Sequence, residues 1–250
     1  RSSMITQGPV VEEFERELCA YTGAKFAVCC STGTAALHLA VLAAGLGPGD
    51  ATLTTPLTFV ATAASALFVG ALPYFSDIDP VTHNIDPTAI ESMLDAHPEI
   101  GAIMPVHFAG LPADMVSIGE IARRRGLRVI EDACHALGAE EVAGDKSVAK
   151  VGACTYSDMT VFSFHPVKSI TTGEGGAITT NDAELYERLK SFRNHGMRKP
   201  EGDSRRWFYE VEALGYNYRL TDIQCALGVS QLRKLDSFIE RRSSIAAQYD

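Results

Sequence analysis

The sequence lacks the features that mark membrane proteins and proteins that coat nucleic acids. Its most apolar stretch, residues 61–69, is far shorter than the roughly 20 residues that span a bilayer. Its 22 basic residues are outnumbered by 31 acidic ones, for a formal net charge of -9. Proteins that coat nucleic acid need an excess of basic side chains, because these neutralise the phosphates. We therefore expect a protein that binds neither membrane nor nucleic acid.

The cysteines also lack the spacing of a metal site or a redox motif. The chain has six of them, without a C-x-x-C pair and without a metal-like clustering of cysteine and histidine. Cys29 and Cys30 are adjacent within an apolar run, where free cysteine behaves as a small hydrophobic side chain. Reduced thiols are typical of the cytoplasm, and residues 1–7 contain no apolar signal core. These observations predict a reduced, cytoplasmic protein without a resident metal.

Short apolar segments alternate with amphipathic ones along the whole chain. With 46% hydrophobic and 21% charged residues, the composition is that of a globular protein, and 250 residues can bury a large core. Strands are predicted at 26–30, 51–54, 72–75, 102–106, 127–131, 160–164 and 177–180. Helices are predicted from 10, 33, 58, 86, 113, 182 and 221, the last running near residue 250, and 140–150 is predicted as a loop. Strands that alternate with helices indicate an α/β fold with a doubly wound, mostly parallel sheet, here a single domain over 1–250.

Ligands of an open α/β sheet bind beyond the carboxyl ends of its strands, and the segment 31–35 lies at such a position. Its small residues let the backbone approach an anion, and the following helix supplies free N–H groups. The segment is neither a Walker loop nor a G-x-G-x-x-G fingerprint. Taken alone, it reads as a polar turn with a helix cap.

Asp132 and His135 follow directly after the predicted strand at 127–131. An acid at a strand tip can pair with a ribose hydroxyl, a metal or a protonated ring nitrogen, and it can equally be an ordinary helix cap. A histidine in such a position is more often structural than catalytic. Without further context both interpretations stay open.

Lys168 lies just past the predicted strand at 160–164 and is followed by the glycine-rich segment 171–176. Partial burial lowers the pKa of a lysine and frees its amine for Schiff-base chemistry, although most lysines are solvated surface residues. The glycine-rich segment favours the chemical interpretation, because it is typical of backbone that passes close to a ligand.

A polar and aromatic segment, 215–222, leads into the last predicted helix. Its tyrosines, Asn217 and Arg219 suit the recognition of an anionic ligand. The same residue types are enriched at protein interfaces, so the segment predicts either a ligand contact or a subunit contact.

Together these features are far more specific than any one of them. A cradle for phosphate, an acid at a strand tip, a serine five residues before a lysine and then a glycine loop have the layout of the fold-type I pyridoxal-phosphate enzymes. From residue 5 to its end, the chain resembles the sugar aminotransferases of the DegT/DnrJ/EryC1/StrS family. The residues 162–168 and 170–176 are most similar to members that act in pseudaminic acid biosynthesis. Nothing in the sequence corresponds to the family's C-terminal small domain, so we expect a partial chain that forms the large domain.

The resemblance implies a set of site residues. The catalytic residues would be Lys168, Asp132 and His135. The residues that bind the cofactor would be Gly33, Thr34, Ala35, Phe59, Asp132, His135, Ser163, Lys168 and Asn217. The residues that bind the substrate would be Ser3, Met4, Ile5, Thr6, Gly33, Ser163 and Asn217. No metal is implied.

In the family, each of these positions has a role. Lys168 would form the covalent link to pyridoxal phosphate and would shuttle the proton between the donor's Cα and the cofactor's C4′. Asp132 would keep the pyridine nitrogen protonated, Phe59 would stack on the ring, and His135 would contact O3′ or the ring edge. Asn217 would reach the phosphate in the neighbouring subunit, which implies a homodimer with shared sites.

The backbone N–H groups of 33–35 and the Ser163 hydroxyl would bind the phosphate, and residues 3–6 would contact the sugar nucleotide. The implied reaction transfers an amino group, with L-glutamate as the donor, to C4 of a UDP-linked 4-keto-6-deoxy-N-acetylhexosamine. The cofactor would pass through its PMP form during turnover.

Three alternatives have distinct marks in the sequence. A related group of sugar dehydratases has histidine in place of the lysine, and Lys168 argues against that chemistry. A regulator that keeps the fold without catalysis would be marked by loss of Lys168 or Asp132, and both are present. A nicotinamide-dependent oxidoreductase is disfavoured because the chain has no G-x-G-x-x-G fingerprint. An aminotransferase that acts on another nucleotide-linked keto sugar stays open.

Overall fold

A seven-stranded sheet forms the centre of the molecule. The structure is a computed structural model that describes residues 8–142, 147–200, 202, 204–205 and 207–249. The strands are β1 Phe26–Cys30, β2 Ala51–Thr54, β3 Leu72–Phe75, β4 Ile100–Ile103, β5 Arg128–Asp132, β6 Glu140–Val142, β7 Val148–Lys150, β8 Met159–Ser163, β9 Gly176–Thr180, β10 Met197–Arg198 and β11 Glu210–Val211. The helices are α1 Pro9–Thr22, α2 Gly33–Ala43, α3 Val60–Phe68, α4 Pro87–Ala96, α5 Met115–Arg125, α6 Ala183–Arg193, α7 Asp222–Leu232 and α8 Leu235–Ala246. Within the described ranges, no helix is both long and apolar enough to cross a bilayer.

The sheet has the strand order β1-β9-β8-β5-β4-β2-β3. The pairs β2/β3, β2/β4, β4/β5 and β5/β8 are parallel, whereas β9 is antiparallel to both β1 and β8. The predicted α/β class with a mostly parallel, doubly wound sheet is therefore confirmed.

Helices cover both faces of the sheet because its strands are apolar on both sides. On one face, α1 and α7 pack on β1, β8 and β9, and α4 and α5 pack on β2, β4 and β5. On the other face lie α2 and α6. The adjacent cysteines show the alternation of a strand, since Cys29 belongs to the first core and Cys30 to the opposite one. The carboxyl ends of the parallel strands therefore lie together at one end of the sheet.

Most predicted elements coincide with the observed ones, and three predictions were wrong in detail. The strand predicted at 102–106 spans Ile100–Ile103, because Pro105 has no N–H to donate to a ladder, and only an isolated bridge from Val106 to Asp132 continues it. The predicted final helix begins after Thr221 with the expected capping box but is divided into α7 and α8 at Arg233 and Lys234.

The predicted loop 140–150 contains the antiparallel strands β6 and β7. In β6 the burial alternates, with Glu141 buried between two exposed residues, which is the reverse of the usual pattern of apolar residues inside. That reversal hides the strand from a sequence pattern. Residues 143–146, between the two strands, lie outside the described residues.

We predict that Gly228→Ala destabilises the protein although alanine favours a helix. A Cβ at Gly228 in α7 would lie 2.6–2.9 Å from three ring atoms of the fully buried Phe14 in α1. The helix preference for alanine is worth about 1 kcal/mol, whereas overpacking costs about 1–3 kcal/mol. The urea midpoint should therefore fall. Phe14→Leu/Gly228→Ala should lose less stability than the sum of the two single variants, and a raised midpoint in Gly228→Ala would contradict the packing argument.

Candidate active site

The start of α2 offers backbone donors to an anion. Thr32 is the N-cap, and its side-chain oxygen accepts the N–H of Ala35 at 3.0 Å. In the described part of the chain, the N–H groups of Gly33 and Thr34 have no acceptor. Unpaired N–H groups and the helix dipole make such an end suitable for a negatively charged group. Of the three donors predicted for the phosphate, two are therefore open and the third belongs to the cap.

Gly33 allows two elements to approach closely at this point. A Cβ on Gly33 would lie 2.7 Å from Cβ and 3.0 Å from Oγ of Ser163 at the end of β8. A Cβ on Gly176 at the start of β9 would lie 2.5 Å from the carbonyl oxygen of Thr32. Both glycines are therefore needed for the hydroxyl of Ser163 to lie beside the open N–H groups of α2.

Asp132 ends β5 as a buried carboxylate, with 5% of the residue exposed. Thr62 Oγ1 in α3 donates to Oδ2 of Asp132 at 2.6 Å, and the backbone N–H of Cys134 donates to Oδ1 at 3.2 Å. A carboxylate can accept about four hydrogen bonds, so Asp132 keeps the capacity to accept another donor. Thr62 is a site residue that the sequence interpretation missed.

Phe59 precedes α3 and is linked to the same cluster. The backbone N–H of Thr62 donates to the carbonyl of Phe59 at 3.2 Å. The position three residues before Thr62 places Phe59 about one helical turn away, and Phe59 is 69% exposed. Phe59 thus lies one helical turn from Thr62, which contacts Asp132, and its aromatic ring is exposed to a planar partner.

Lys168 lies in the loop 164–175, whose two ends are joined by backbone hydrogen bonds. The N–H of Phe164 donates to the carbonyl of Gly175 at 2.8 Å, and the N–H of Thr172 donates to the carbonyl of Phe164 at 3.0 Å. Gln224 in α7 holds the far side of the loop by donating to the carbonyl of Glu174 at 2.8 Å. These contacts leave Lys168 partly buried at the carboxyl end of β8.

The pKa values of His135 and Cys134 are both affected by the charges of Lys168 and Asp132. Burial lowers the pKa of His135, the charge of Lys168 lowers it further, and Asp132 opposes both. Burial raises the pKa of the Cys134 thiol, Asp132 adds to the rise, and Lys168 opposes it. Lys168 and Asp132 therefore both act electrostatically on His135, and a catalytic group of these three residues stays a prediction.

Asn217 faces away from α2. The rings of Tyr216 and Tyr218 stack with centroids 5.1 Å apart, and both contact His38 of α2. Because neighbouring side chains of an extended segment point to opposite sides, Asn217 points outward, and it is exposed. The N–H of Ser31 donates to the carbonyl of Tyr218 at 2.9 Å, so the segment borders the start of α2.

The remaining sequence predictions concern the sugar-nucleotide contacts and a metal. Ser3, Met4, Ile5 and Thr6 lie outside the described residues. Among the residues that the structure does describe, no group of three or more histidine, cysteine, aspartate and glutamate side chains is arranged to hold a metal.

A cavity of about 1320 Å³ lies elsewhere, along the edge strand β1 between α1 and α6. No described residue of the predicted site lines it. Its central polar groups are paired, because Arg193 contacts Glu15 at 2.6 Å and also donates to the carbonyl of Cys29 at 2.8 Å. We therefore place the candidate site at the strand ends, where open donors, a buried carboxylate and an amine meet.

These groups fit a flat, anionic cofactor. The open N–H groups of Gly33 and Thr34 suit a phosphate, the spare acceptor capacity of Asp132 suits a protonated ring nitrogen, and Lys168 supplies an amine. The two glycine contacts would be blocked by any larger residue. The fit of the residues to pyridoxal phosphate thus depends on the geometry of this chain.

Comparison with known proteins identifies relatives of the same kind. The family described as "DegT/DnrJ/EryC1/StrS aminotransferase family" matches residues 1–250. The chain is 44% identical to a UDP-4-amino-4,6-dideoxy-N-acetyl-beta-L-altrosamine transaminase of Campylobacter jejuni, over 100% of this chain and 63% of that protein. The chain thus spans a little under two thirds of the length of this relative.

Solved structures are similar over the same extent. Helicobacter pylori PseC, described as an aminotransferase involved in the biosynthesis of pseudoaminic acid, has a TM-score of 0.89 and 37% identity, over 100% of this chain and 64% of that one. The PMP form of a putative sugar aminotransferase from Streptococcus pneumoniae has a TM-score of 0.89 and 30% identity, over 100% of this chain and 66% of that one. The predicted fold-type I architecture is confirmed by this likeness.

We predict that the pKa of His135 moves in opposite directions in two variants of the protein without cofactor. Lys168→Met should raise it because a nearby positive charge is lost, and Asp132→Asn should lower it because a nearby negative charge is lost. NMR titration of the His135 ring measures both shifts. Lys25→Met, just before the amino end of β1 and so at the opposite end of the sheet, is the matched control and should leave the pKa of His135 unchanged. Equal values in Lys168→Met and the unaltered protein would separate Lys168 from this site.

Proposed function

This chain belongs to the DegT/DnrJ/EryC1/StrS aminotransferase family, and we propose that it carries the active site of a nucleotide-sugar aminotransferase that uses pyridoxal phosphate. The observation that carries the proposal is the meeting of Lys168, Asp132 and the open start of α2 at the carboxyl ends of β8, β5 and β1. The predicted resemblance to the family is confirmed by the match. The activity, substrates and assembly of the whole protein are proposals.

Phosphate binding falls to the open N–H groups of Gly33 and Thr34 and to the Ser163 hydroxyl. The Ala35 N–H, predicted as a third donor, is engaged by Thr32 and contributes by closing the cap instead. Backbone donors at a helix start bind phosphate without a basic side chain. This explains how an acidic protein can hold an anionic cofactor.

Asp132 binds the ring nitrogen and keeps its proton in place. When bound, pyridoxal phosphate supplies an electron sink that stabilises negative charge at the donor's Cα. Thr62 and the Cys134 N–H orient the Asp132 carboxylate for this contact, and Phe59 covers one face of the ring and excludes water there. His135, whose pKa is lowered by burial and by Lys168, contacts O3′ or the ring edge.

Lys168 performs the covalent attachment and the proton transfer. Its amine holds the cofactor and, once the amino donor has displaced it, moves the proton between the donor's Cα and the cofactor's C4′. The closed loop 164–175 limits how far the amine can move during these two tasks. Lysine at this position favours transamination over the related dehydration and over a purely regulatory role.

The proposed acceptor is a UDP-linked 4-keto-6-deoxy-N-acetylhexosamine, as in pseudaminic acid biosynthesis, with L-glutamate as donor. The names of the Campylobacter jejuni and Helicobacter pylori relatives support this choice. Ser3, Met4, Ile5 and Thr6, with Gly33, Ser163 and Asn217, are the proposed contacts to the sugar nucleotide. Another nucleotide-linked keto sugar is the alternative, because the described residues account for the amino transfer but do not determine which sugar is bound.

A homodimer with shared sites is the proposed assembly. The outward face of α3 exposes Val60, Leu67 and Phe68, and apolar surface of this kind marks an interaction site. The ring of Phe68 meets His38 at 5.3 Å, and His38 in turn meets Tyr216, beside the outward-pointing Asn217. The apolar face thus continues into the segment that carries Asn217, as a contact across a dimer would require.

A single large domain over 1–250 and a cytoplasmic location complete the proposal. All six cysteines are free, as reduced thiols in that compartment would be.

The proposed function predicts different defects in Lys168→Ala and Asp132→Asn. Lys168→Ala should abolish the visible absorption band of lysine-bound pyridoxal phosphate and all transamination. Asp132→Asn should keep the band, because the amine and the phosphate cradle are intact, but lower kcat at least ~100-fold, equivalent to about 2.7 kcal/mol of barrier. Absorbance with cofactor and amino transfer to a panel of UDP-4-keto sugars measure these effects.

Two results would contradict the assignment. A band that survives Lys168→Ala would remove Lys168 from its role, and near-normal turnover in Asp132→Asn would remove Asp132. Lys25→Met is the matched control for the loss of a lysine and should retain both band and turnover.

Subunit complementation tests the shared site. Lys168→Ala and Asn217→Ala, each impaired alone, should regain activity when they are mixed and allowed to exchange subunits. In a mixed dimer both lesions fall in one site, and the other site is intact. The loss in Asn217→Ala corresponds to one hydrogen bond to a charged group, about 1.5–3 kcal/mol. If mixing restores nothing while mass measurements show mixed dimers, Asn217 acts within its own subunit.

A further inference from the structure

A second buried carboxylate lies directly beside Asp132. Successive side chains of a strand point to opposite faces, so Glu131 points to the face of the sheet opposite to Asp132. Glu131 is 1% exposed. Its carboxylate contacts His107 Nε2 at 2.7 Å and accepts from the hydroxyls of Thr160, at 2.8 Å, and of Ser157. The function proposed above assigns no task to this cluster.

The hydrogen bonds determine the protonation of His107. Its Nδ1 accepts the backbone N–H of Ala113 at 3.0 Å, and a ring nitrogen that accepts carries no proton. The proton of the neutral ring is therefore on Nε2, which donates it to Glu131. The pair is directional, with a single arrangement of donor and acceptor.

The same histidine also holds Asp132 through its backbone. The N–H of His107 donates to the carbonyl of Asp132 at 3.1 Å, and the N–H of Asp132 donates to the carbonyl of Pro105 at 2.8 Å. His107 thus holds residue 131 by its ring and residue 132 by its main chain. A rotation of the backbone between Glu131 and Asp132 would break one of these contacts.

The carboxyl of Glu131 is adapted to carry a charge in the interior. Burial by itself would raise its pKa, but the hydrogen bond and the electrostatic attraction of His107, with the hydrogen bonds from Ser157 and Thr160, outweigh burial and hold the pKa below its usual value. A neighbouring carboxyl senses the charge, since burial and then Glu131 raise the pKa of Glu141 to about 7. A charged acceptor keeps the His107 contact strong at neutral pH.

We propose that His107 and Glu131 are positioning residues that hold the end of β5 so that the Asp132 carboxylate meets the cofactor ring nitrogen. This inference rests on the function proposed above. The geometry carries it: one residue, His107, contacts Glu131 through its ring and Asp132 through its main chain, and the side chains of Glu131 and Asp132 lie on opposite faces of the sheet. The pair acts from the face remote from the cofactor, so it influences the reaction only through Asp132.

Glu131→Gln is the variant that tests the proposal in the protein loaded with ¹⁵N-labelled pyridoxal phosphate. The amide has nearly the same shape, but its NH2 group would face either the Nε2–H of His107 or the hydroxyls of Ser157 and Thr160. The ¹⁵N resonance of the ring nitrogen should move toward the unprotonated position. The kcat should fall about 10- to 100-fold, the loss that is typical when a residue that orients a metal ligand is changed. The KM for the amino donor should stay unchanged.

Two further variants separate positioning from stability. Thr160→Val removes one donor to Glu131 but leaves the His107 contacts intact, so it should lower the melting temperature without moving the ring-nitrogen resonance. Glu131→Asp keeps the charge and withdraws the oxygens from His107 by one methylene. It should move the resonance in the same direction as Glu131→Gln by a smaller amount, and it replaces that variant if Glu131→Gln does not fold.

The outcomes distinguish this inference from the proposed function. If the unaltered protein shows the cofactor band and a protonated ring nitrogen, and neither Glu131 variant moves the resonance, the positioning role is overturned and the proposed function stands. The positioning role is also overturned if Thr160→Val moves the resonance as far as Glu131→Gln does. If the unaltered protein forms no band with Lys168, the proposed function fails, and this inference fails with it.

Discussion

A buried carboxylate at the end of β5 is the constraint on which the rest of the site depends. Burial of an ionisable group costs several kcal/mol unless hydrogen bonds replace its water. For Asp132 they come from separate parts of the chain: Thr62 in α3 and the backbone of Cys134 hold the side chain, and residues 105–107 hold the main chain. Phe59 is the N-cap of α3, so the helix that holds this carboxylate through Thr62 begins at the exposed aromatic ring.

The start of α2 shows a related balance between stability and binding. The helix is apolar nearly all round and buried, which fixes its position between the sheet and α3 and α6. Its first two N–H groups have no acceptor within the described residues, a condition that helix ends normally avoid. The close contact of Gly33 with Ser163 excludes a side chain that could fill the space. An anionic group can therefore bind the two free N–H groups and occupy the space that Gly33 leaves.

Much of the fold and of the site could be predicted from sequence because the signals are local. The strands at 26–30, 51–54 and 72–75 were predicted with their observed bounds, since each is a short apolar run between turn residues. Asp132 and Lys168 could be predicted as site residues for the same reason, because each follows a predicted strand.

The contacts that orient those residues are not local, and sequence could not predict them. Thr62 meets Asp132 across 70 residues, and Gln224 meets Glu174 across 50. The role of the Ala35 N–H depends on which of two acceptors, the Thr32 hydroxyl or a ligand, it binds better.

The antiparallel direction of β9, which no pattern indicated, has a direct consequence for Lys168. If β9 were parallel to β8, the chain would have to cross back to the opposite end of the sheet before β9 could begin. Because β9 is antiparallel, the loop 164–175 leaves β8 and enters β9 at the same end of the sheet. The hydrogen bonds of Phe164 join the two ends of this loop. Lys168 therefore lies in a short closed loop, at the end of the sheet where Asp132 and the start of α2 also lie.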